Sequence, residues 1–217
     1  MHQFIVQVAN GQFEHMADTI CNEMELSAKA RGTGIAKRSP EYIQQKMQQG
    51  KAVIATTKDG KWAGFCYIEK WGHGDYVANS GLIVAPEFRK SGLAKSIKNK
   101  VFELSRTKYP EAKIFGLTTG LAVMKINSDL GYEPVTYSEL TQDDAFWKGC
   151  TSCVNFEILK SKDRKNCLCT AMLFNPAEEN KTGRFRNFKK YVKLFERVLR
   201  MKKGSLLKEN NKVIITL

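Results

Sequence analysis

The sequence has no apolar run that approaches the roughly 18 to 20 residues a membrane-spanning helix needs. Its first residues, MHQFIVQ, lack the basic stretch followed by an apolar stretch that marks a secretory leader. Both common nucleotide-binding fingerprints, G-x-G-x-x-G and G-x-x-x-x-G-K-[ST], are also missing. We therefore expect a cytoplasmic protein that has no membrane span and that uses neither of these nucleotide-binding motifs.

The composition is that of a folded chain with an unusual end. Its 217 residues are 42% apolar and 26% charged, which is enough for one substantial domain and an appendage. Residues 176–217 hold 12 Lys or Arg against 4 Asp or Glu, whereas the whole chain holds 35 and 22. We predict a main domain at 1–175 and a basic extension at 176–217. Because the main domain is only mildly basic, nucleic acid is not the expected partner.

Hydrophobic periodicity and turn residues predict alternating strands and helices. We expect strands at 4–9, 52–57, 62–71, 76–84, 114–118, 132–136 and 167–174, and helices at 13–28, 40–49, 95–108 and 122–130. This order predicts an α/β layered domain built on a mixed, mostly antiparallel sheet. In the extension, apolar residues at helical spacing predict a basic amphipathic helix at 186–201, and 213–217 is expected to add a short strand.

The most informative pattern lies at 79–95. An apolar strand leads into Arg89-Lys90-Ser91-Gly92-Leu93-Ala94, and a helix follows. Because the start of a helix leaves backbone N–H groups unpaired and carries a partial positive charge, this loop suits a phosphate or pyrophosphate. The alternative is an ordinary strand–loop–helix connection with a turn glycine, since one glycine is a weak signal.

In this context the R-x-x-G-x-A pattern resembles the acyl-CoA pyrophosphate motif of the GNAT N-acetyltransferase superfamily. The resemblance spans about residues 3–174 and includes the order of strands and helices. Leu117-Thr118-Thr119, the segment 131–135 (GYEPV) and the basic segment 163–166 (DRKN) are similar to the acetyltransferase domain of bacterial N-acetylglutamate synthase. The matches are short, but they lie in the same order along the chain.

This resemblance implies an enzyme that transfers an acetyl or succinyl group from a CoA thioester to a small acidic amino acid. Glutamate is the expected acceptor, in arginine biosynthesis, and acetyl-CoA or another acyl-CoA is the expected co-substrate. Two alternatives stay open. One is a GNAT enzyme that acylates another small amine or a protein amine, and the other is a catalytically silent regulator that binds CoA or nucleic acid.

The resemblance also implies where the co-substrate binds. Its pyrophosphate would lie on the backbone N–H groups of Lys90, Ser91, Gly92, Leu93, Ala94 and Lys95, with Arg89 adding positive charge. The pantetheine arm would pair with the edge of the strand at 76–84 like an additional strand. A backbone N–H of Leu82, Ile83 or Val84 would polarise the thioester carbonyl, on which negative charge develops during transfer.

The catalytic groups of the relatives have no direct counterpart here. Their glutamate on the central strand falls at Ala78, so the candidate bases are Glu69, His73 and Asp75, which are nearby acidic or imidazole groups. The superfamily's usual tyrosine, which protonates the departing thiolate, falls at Asn127. Each candidate base has an ordinary alternative as a solvated turn residue, and no general acid is assigned.

An acidic acceptor requires cationic recognition, for which the planar arginine side chain is well suited. Arg31, Lys37 and Arg38 lie between the first two helices, where the superfamily binds its acceptor, and Arg164 matches the basic segment of the synthases. Any one of them alone would ordinarily be a solvated surface charge. As a set they favour a dicarboxylate.

Four cysteines, Cys150, Cys153, Cys167 and Cys169, form the pattern C-x2-C, 13 residues, C-x-C. Structural zinc is one interpretation, because four thiolates can bind this metal tetrahedrally. Buried or reduced thiols are favoured over zinc, because the last two cysteines are expected on a strand, where cysteine is often a small core residue. A redox pair is the third alternative.

The basic extension has two interpretations. A basic amphipathic helix can lie on an anionic membrane or on a phosphate backbone. We favour the simpler interpretation, in which its apolar stripe docks on the main domain or on a second subunit. A homodimer formed through this helix or through a sheet edge is the corresponding expectation.

Overall fold

One mixed sheet organises the part of the chain that can be described. The structure is a computed structural model and describes residues 3–32 and 37–178. Its strands are β1 (Phe4–Val8), β2 (Ala52–Thr57), β3 (Trp62–Trp71), β4 (Tyr76–Val84), β5 (Lys113–Thr118), β6 (Glu133–Val135) and β7 (Thr170–Phe174). They lie in the order β1-β2-β3-β4-β5-β7-β6, and every pair is antiparallel except β4 with β5. The predicted α/β class and mixed sheet are confirmed.

Six helices accompany the sheet. They are α1 (Ala17–Arg31), α2 (Pro40–Gln48), α3 (Leu93–Lys108), α4 (Leu121–Asp129), α5 (Asp144–Lys148) and α6 (Phe156–Ser161). The predicted helix at 13–28 begins instead as a 3₁₀ turn, Gly11–Met16, and continues as α1. Among the described residues, no helix has the length and apolar character to cross a bilayer. The predicted elements at 186–201 and 213–217 lie outside the described residues.

The segment between β6 and β7 differs most from expectation. The prediction of a strand at 167–174 is wrong for its first three residues, because β7 begins at Thr170, opposite Thr118 at the end of β5. Residues 167–169 therefore have no β5 residue to pair with. Two short helices, α5 and α6, precede them, and helices of five and six residues are too short to show a 3.6-residue period.

The two faces of the sheet carry different helices. Alternate residues of a strand point to opposite faces. On β3, Gly64 faces α3, because a Cβ placed there would lie 2.6 Å from Ile97 Cδ1. Tyr67 faces α1, because a Cβ at Gly81 would touch both Tyr67 and Met24. The sheet is therefore packed on both sides, with α1 and α2 opposite α3 and α4.

The strands β4 and β5 separate after a short contact. Tyr76–Ala78 pairs with Lys113–Phe115, after which β5 continues beside β7 and β4 continues beside β3. From Asn79 to Val84, β4 has no strand partner on its β5 side. This leaves an open backbone edge in the middle of the sheet, which we call the β4 edge.

A bulge marks the β4 edge. Tyr67 pairs with Ser80 and Phe65 pairs with Ile83, so β4 carries one residue more than β3 between these two pairs. Gly81 lies in the bulge with a φ of 66°, a backbone conformation that favours glycine. The bulge therefore changes the direction of β4 where its contact with β5 has just ended.

The close approach of α3 to the sheet at Gly64 predicts a stability effect. Gly64→Ala should lower the free energy of unfolding by about 1–3 kcal/mol, because the new methyl group would lie 2.6 Å from Ile97 and 2.9 Å from the carbonyl oxygen of Ile83. Urea unfolding measures this change. Gly11→Ala is the matched control, since its methyl group would meet only the flexible Glu14 carboxylate. Equal unfolding midpoints for the two variants would contradict the packing described here.

Candidate active site

A tight loop connects β4 to α3. After a 3₁₀ turn at Pro86–Phe88, both Lys90 and Gly92 adopt positive φ, 62° and 86° respectively. The Ser91 hydroxyl donates to the Phe88 carbonyl oxygen at 2.6 Å and fixes the turn. The helix α3 then begins at Leu93, two residues earlier than predicted, with Gly92 as its uncapped N-terminal neighbour.

Four successive backbone N–H groups of this loop lack a hydrogen-bond acceptor in the described part of the chain. Within the described residues, the N–H groups of Ser91, Gly92, Leu93 and Ala94 have no hydrogen bond to backbone or side chain. The Lys95 N–H differs, since it donates to the Gly92 carbonyl oxygen at 3.0 Å. Successive unpaired N–H groups at a helix N-terminus form a concave anion site, which suits a pyrophosphate.

The charged side chains in and after the loop bind different partners. Arg89 donates to Glu23 and to the Ser27 hydroxyl of α1, each at 2.7 Å, and to the Val84 carbonyl oxygen at 3.2 Å. It therefore fastens the loop to α1 and to the end of β4. Lys95 forms an exposed ion pair with Asp129 at 2.9 Å.

The direction of the N–H groups on β4 follows from the strand geometry. The Ala85 N–H donates to Ala63 at 2.9 Å and so points toward β3. Because directions alternate along a regular strand, the Ile83 N–H also points toward β3, whereas that of Val84 points toward the open side. Leu82 lies within the bulge, where the regular alternation is interrupted.

Small and amide residues surround the point where β4 and β5 separate. Gly116 of β5 lies there, since a Cβ on it would be 3.6 Å from the Asn79 carbonyl oxygen and 4.0 Å from Asn127 Nδ2. Asn127 of α4 is buried, its Nδ2 contacts the Met172 sulfur at 3.7 Å, and its Oδ1 has no hydrogen-bond partner in the described structure. This region thus combines an unpaired buried amide oxygen, an open strand edge and a loop of unpaired N–H groups.

Among the predicted acceptor cations, Arg38 has the most developed surroundings. Its Nε donates to the Tyr67 hydroxyl at 2.7 Å, and its guanidinium carbon lies 5.3 Å from the Tyr42 ring centre and 6.0 Å from that of Tyr67. The ring of Tyr67 in turn lies against Gly81, where Cε1 would be 2.7 Å from an added Cβ. The half-buried Arg38 guanidinium is thus connected to the bulge through the Tyr67 side chain.

The other predicted cations lie further from this arrangement or pair elsewhere. Arg31 is exposed in the last turn of α1. Lys37 is exposed, and its backbone N–H donates to the Ser152 hydroxyl at 3.2 Å, which connects the α1–α2 loop to the segment between α5 and α6. Arg164 forms an ion pair with Asp144, and both side chains are at least half exposed.

The three candidate bases separate in space. Glu69 faces α2, where its carboxylate accepts hydrogen bonds from Lys46 at 2.7 Å and from the Tyr42 hydroxyl. Burial raises the pKa of Tyr42, so its hydroxyl stays protonated as the donor. His73 and Asp75 lie exposed at the β3–β4 turn, at the opposite end of β4 from the anion site. Only Glu69 of the three shares a face of the sheet with Arg38 and Tyr67.

The four late cysteines lie near one another and near Arg38. Burial, followed by the neighbouring thiols, raises the pKa of Cys150 to about 11 and that of Cys169 to about 12. The Tyr137 hydroxyl donates to the Cys169 carbonyl oxygen at 2.8 Å. Within the described residues, no group of three or more His, Cys, Asp or Glu side chains is arranged to hold a metal ion.

The geometry of the loop and the strand order agree with a sequence comparison. Residues 28–122 match the Acetyltransferase (GNAT) family. This matched segment, which makes up less than half of the chain, is similar to GNAT acetyltransferases. No curated protein sequence matches the chain significantly.

Solved structures share the GNAT fold at low identity. N-acetylglutamate synthase from Neisseria gonorrhoeae, complexed with CoA and N-acetyl-glutamate, is 14% identical with a TM-score of 0.56 over 81% of this chain and 35% of its own. Rv2747 from Mycobacterium tuberculosis, in complex with CoA, is 16% identical with a TM-score of 0.56, covering 79% and 98% respectively. The putative acetyltransferase yncA from Salmonella typhimurium, with acetyl-CoA, is 11% identical with a TM-score of 0.55, and the match covers 80% of this chain and 94% of its own. The chain spans about a third of the length of the Neisseria synthase.

Several residues of the candidate site carry no sequence signal. Tyr67 has the pattern of an ordinary core aromatic in a buried strand, and Lys46 that of a surface residue of an amphipathic helix. Gly116 stands inside a strand, where glycine marks a close approach of backbone or ligand, so this residue had a usable signal. Lys98 looks like one of several helix lysines, yet it is buried.

The anion site gives a prediction about CoA binding. Gly92→Ala should weaken CoA binding at least tenfold, because alanine disfavours the φ of 86° that directs the loop N–H groups. Isothermal titration calorimetry with CoA measures the affinity. Gly60→Ala is the matched control, since Gly60 has a φ of 85° and, like Gly92, open space around an added Cβ. We expect the two variants to lose similar stability, but only Gly92→Ala to lose CoA affinity. Equal CoA affinities in the two variants would contradict the assignment of this loop as the anion site.

The raised thiol pKa values give a pH prediction. Because only the thiolate reacts, alkylation of Cys150 and Cys169 by iodoacetamide should be slow at pH 7.5 and should rise about tenfold per pH unit toward pH 11. Residue-resolved mass spectrometry measures the rates, and Cys21, whose pKa burial also raises to about 11, is the reference outside this cluster. Protection of all four late cysteines together with one equivalent of bound zinc would instead establish a metal site.

Proposed function

We propose that this GNAT domain, an acyl-CoA-dependent N-acyltransferase, transfers an acetyl group from acetyl-CoA to the α-amino group of glutamate or a similar small acidic amino acid. The observation that carries the proposal is the guanidinium of Arg38, held beside the bulge of β4. The sequence similarity to the synthases and the fold likeness to the Neisseria enzyme support glutamate as the acceptor and arginine biosynthesis as the process. Succinyl-CoA as donor is an outcome of the test below.

The chain provides the binding surface for the donor. Acetyl-CoA supplies an activated acetyl thioester. The unpaired N–H groups of residues 91–94 would hold its pyrophosphate, and the β4 edge would hold its pantetheine arm by strand-like hydrogen bonds. The N–H of Leu82, which follows Gly81 in the bulge, would donate to the thioester carbonyl oxygen and favour the charge that develops there.

Arg38 supplies the acceptor's recognition. A carboxylate pairs with two N–H groups of one guanidinium when both are available. The Arg38 Nε is occupied by Tyr67, and Nη1 donates to the Lys37 carbonyl oxygen, whereas Nη2 has no hydrogen bond within the described residues. Because the Tyr67 ring touches Gly81, a carboxylate bound at Nη2 would place an amine a few ångströms from the bulge.

The remaining polar groups on this face stabilise the pocket and supply a candidate base. Glu69 accepts from Tyr42, whose ring supports Arg38, and Lys46 neutralises the same carboxylate. Attack requires a neutral amine, and Glu69 is the predicted base nearest to this pocket. His73 and Asp75, at the far turn, are proposed to have no part in proton transfer.

The reaction itself is tested with a panel of donors and acceptors. Acetyl-CoA and succinyl-CoA are each incubated with glutamate, glutamine, aspartate and simple amines, and the acylated products are separated and identified by mass spectrometry. We expect acetylglutamate as the main product. Succinylglutamate would change the donor only. Turnover restricted to another amine would overturn the acceptor assignment, and CoA binding with no turnover on any amine would favour a protein substrate or a regulator.

Arg38 gives a quantitative prediction. Arg38→Met should raise KM for glutamate about 10- to 100-fold while leaving CoA affinity within about twofold, since a hydrogen bond to a charged group contributes about 1.5–3 kcal/mol. The preference for glutamate over glutamine should fall by a similar factor. Steady-state kinetics with both acceptors measure this change, and Lys58→Met at the exposed β2–β3 turn is the control. Arg164→Ala tests the second proposed cation in the same assay. An unchanged glutamate KM in Arg38→Met would refute the recognition role.

A further inference from the structure

The helix α3 carries a buried lysine, Lys98, that has no role in donor or acceptor binding as proposed above. Lys98 is 2% exposed and faces the sheet. Within the described residues it has no ion-pair partner, and its Nζ lies 5.1 Å from the Tyr132 ring centre. The titratable groups that face it are the Cys66 thiol of β3 and the Tyr132 hydroxyl, and neither is ionised near neutral pH, since burial raises the pKa of both. The lysine charge is therefore uncompensated.

This lysine is connected to the β4 edge by one amide side chain. Its Nζ donates to Asn79 Oδ1 at 3.2 Å, and the Tyr132 hydroxyl donates to the same oxygen at 2.9 Å. The Asn79 Nδ2 donates to the Ser105 hydroxyl at 2.8 Å, and this hydroxyl donates to the Val101 carbonyl oxygen. The Asn79 amide thus accepts two hydrogen bonds at its oxygen and donates one from its nitrogen, and these three bonds fix its orientation.

The network ends where β4 and β5 separate. Asn79 is the first β4 residue after the paired segment Tyr76–Ala78. Its carbonyl oxygen lies 3.6 Å from the position of a Cβ on Gly116, and Asn127 Nδ2 lies 4.0 Å from the same position. The lysine charge is thus one side chain away from the innermost point of the β4 edge.

A buried ammonium without a counterion is costly for the folded state. Removing it from water disfavours the charge, and this burial lowers the pKa of Lys98 to about 8. A methionine of similar length would fill the same space between α3 and the sheet without that cost. The cost suggests a benefit in another state of the protein, one in which negative charge is present nearby.

We propose that Lys98 is a positioning residue whose charge stabilises the sulfur of CoA as it leaves the acyl group. The proposal rests on the proposed function. In that reaction the amine nitrogen forms a bond to the acyl carbon, the carbon–sulfur bond breaks, and sulfur keeps the electron pair. The amine loses one proton to water, directly or through a base, and the thiolate regains one on release.

The decisive measurement is the thiol pKa of bound CoA, which requires no acceptor and no turnover. Ultraviolet absorbance of the thiolate is titrated with pH for CoA bound to the unmodified protein and to Lys98→Met. We expect the variant to raise the thiol pKa of bound CoA by about one unit or more, a tenfold loss of thiolate stabilisation. Affinity for desulfo-CoA, which lacks the sulfur, should change less than twofold.

Two further readouts separate this role from a structural one. Lys98→Met should unfold at an equal or higher temperature, because it removes an uncompensated buried charge, whereas a merely structural lysine would lower the unfolding temperature. In the unmodified enzyme kcat should decline above about pH 8 as Lys98 loses its proton, and this decline should be absent in the variant. Cys66→Ala should retain the decline, which excludes the facing thiol as its source.

Lys100→Met, on the same helix and partly exposed, is the matched control for all three measurements. Lys98→Gln replaces Lys98→Met if the latter does not fold. The proposal is overturned if the thiol pKa of bound CoA is the same in the unmodified protein and in the Lys98 variant. Failure of the unmodified protein to bind CoA would instead refute the proposed function, so the two failures are distinguishable.

Discussion

The open edge of β4 is the constraint on which the rest of the site depends. A strand in the middle of a sheet normally has both edges paired, because unpaired backbone groups away from water are costly. Here the pairing with β5 stops after Ala78, and β5 instead continues beside β7. The bulge at Gly81, the glycine at Gly116 and the unpaired amide of Asn127 all lie around this interruption. The fold thus keeps an unfinished ladder that a ligand of extended shape can complete.

Two polar networks support the open edge from opposite faces. On the α1 and α2 face, Tyr67 joins Arg38 to the bulge, and Glu69 fixes Tyr42 beneath the same guanidinium. On the α3 face, Asn79 joins Lys98 to the point of separation. Within residues 3–32 and 37–178 neither cation forms an ion pair with a carboxylate, so each is able to respond to negative charge that arrives with a substrate. In the proposed reaction, one face would recognise the acceptor and the other would stabilise the departing sulfur.

The sequence predicted the parts of the site that depend on local geometry. The strand–loop–helix at 79–95 was predictable because glycine at 92 and the following helix are adjacent in the chain, and the structure places the expected helix within two residues of its predicted start. The roles of Tyr67 and Lys98 were not predictable, because they depend on contacts between residues about 30 positions apart or on which face of a helix meets the sheet. The cysteine segment failed for a related reason, since Cys167 and Cys169 fall just beyond the last strand that they were expected to extend.

The hydrogen bond from the Lys37 backbone to Ser152 has a consequence for how the sequence of such a protein can evolve. Strand β4, the loop that follows it and α3 form one continuous stretch of chain from 76 to 108. The segment that bonds to Lys37, next to Arg38, instead lies between β6 and β7. If the proposed sites are correct, substitutions or length changes in that inserted segment would alter the surroundings of Arg38 without disturbing the parts proposed to hold CoA. Acceptor range and donor affinity would then be separable traits in this architecture.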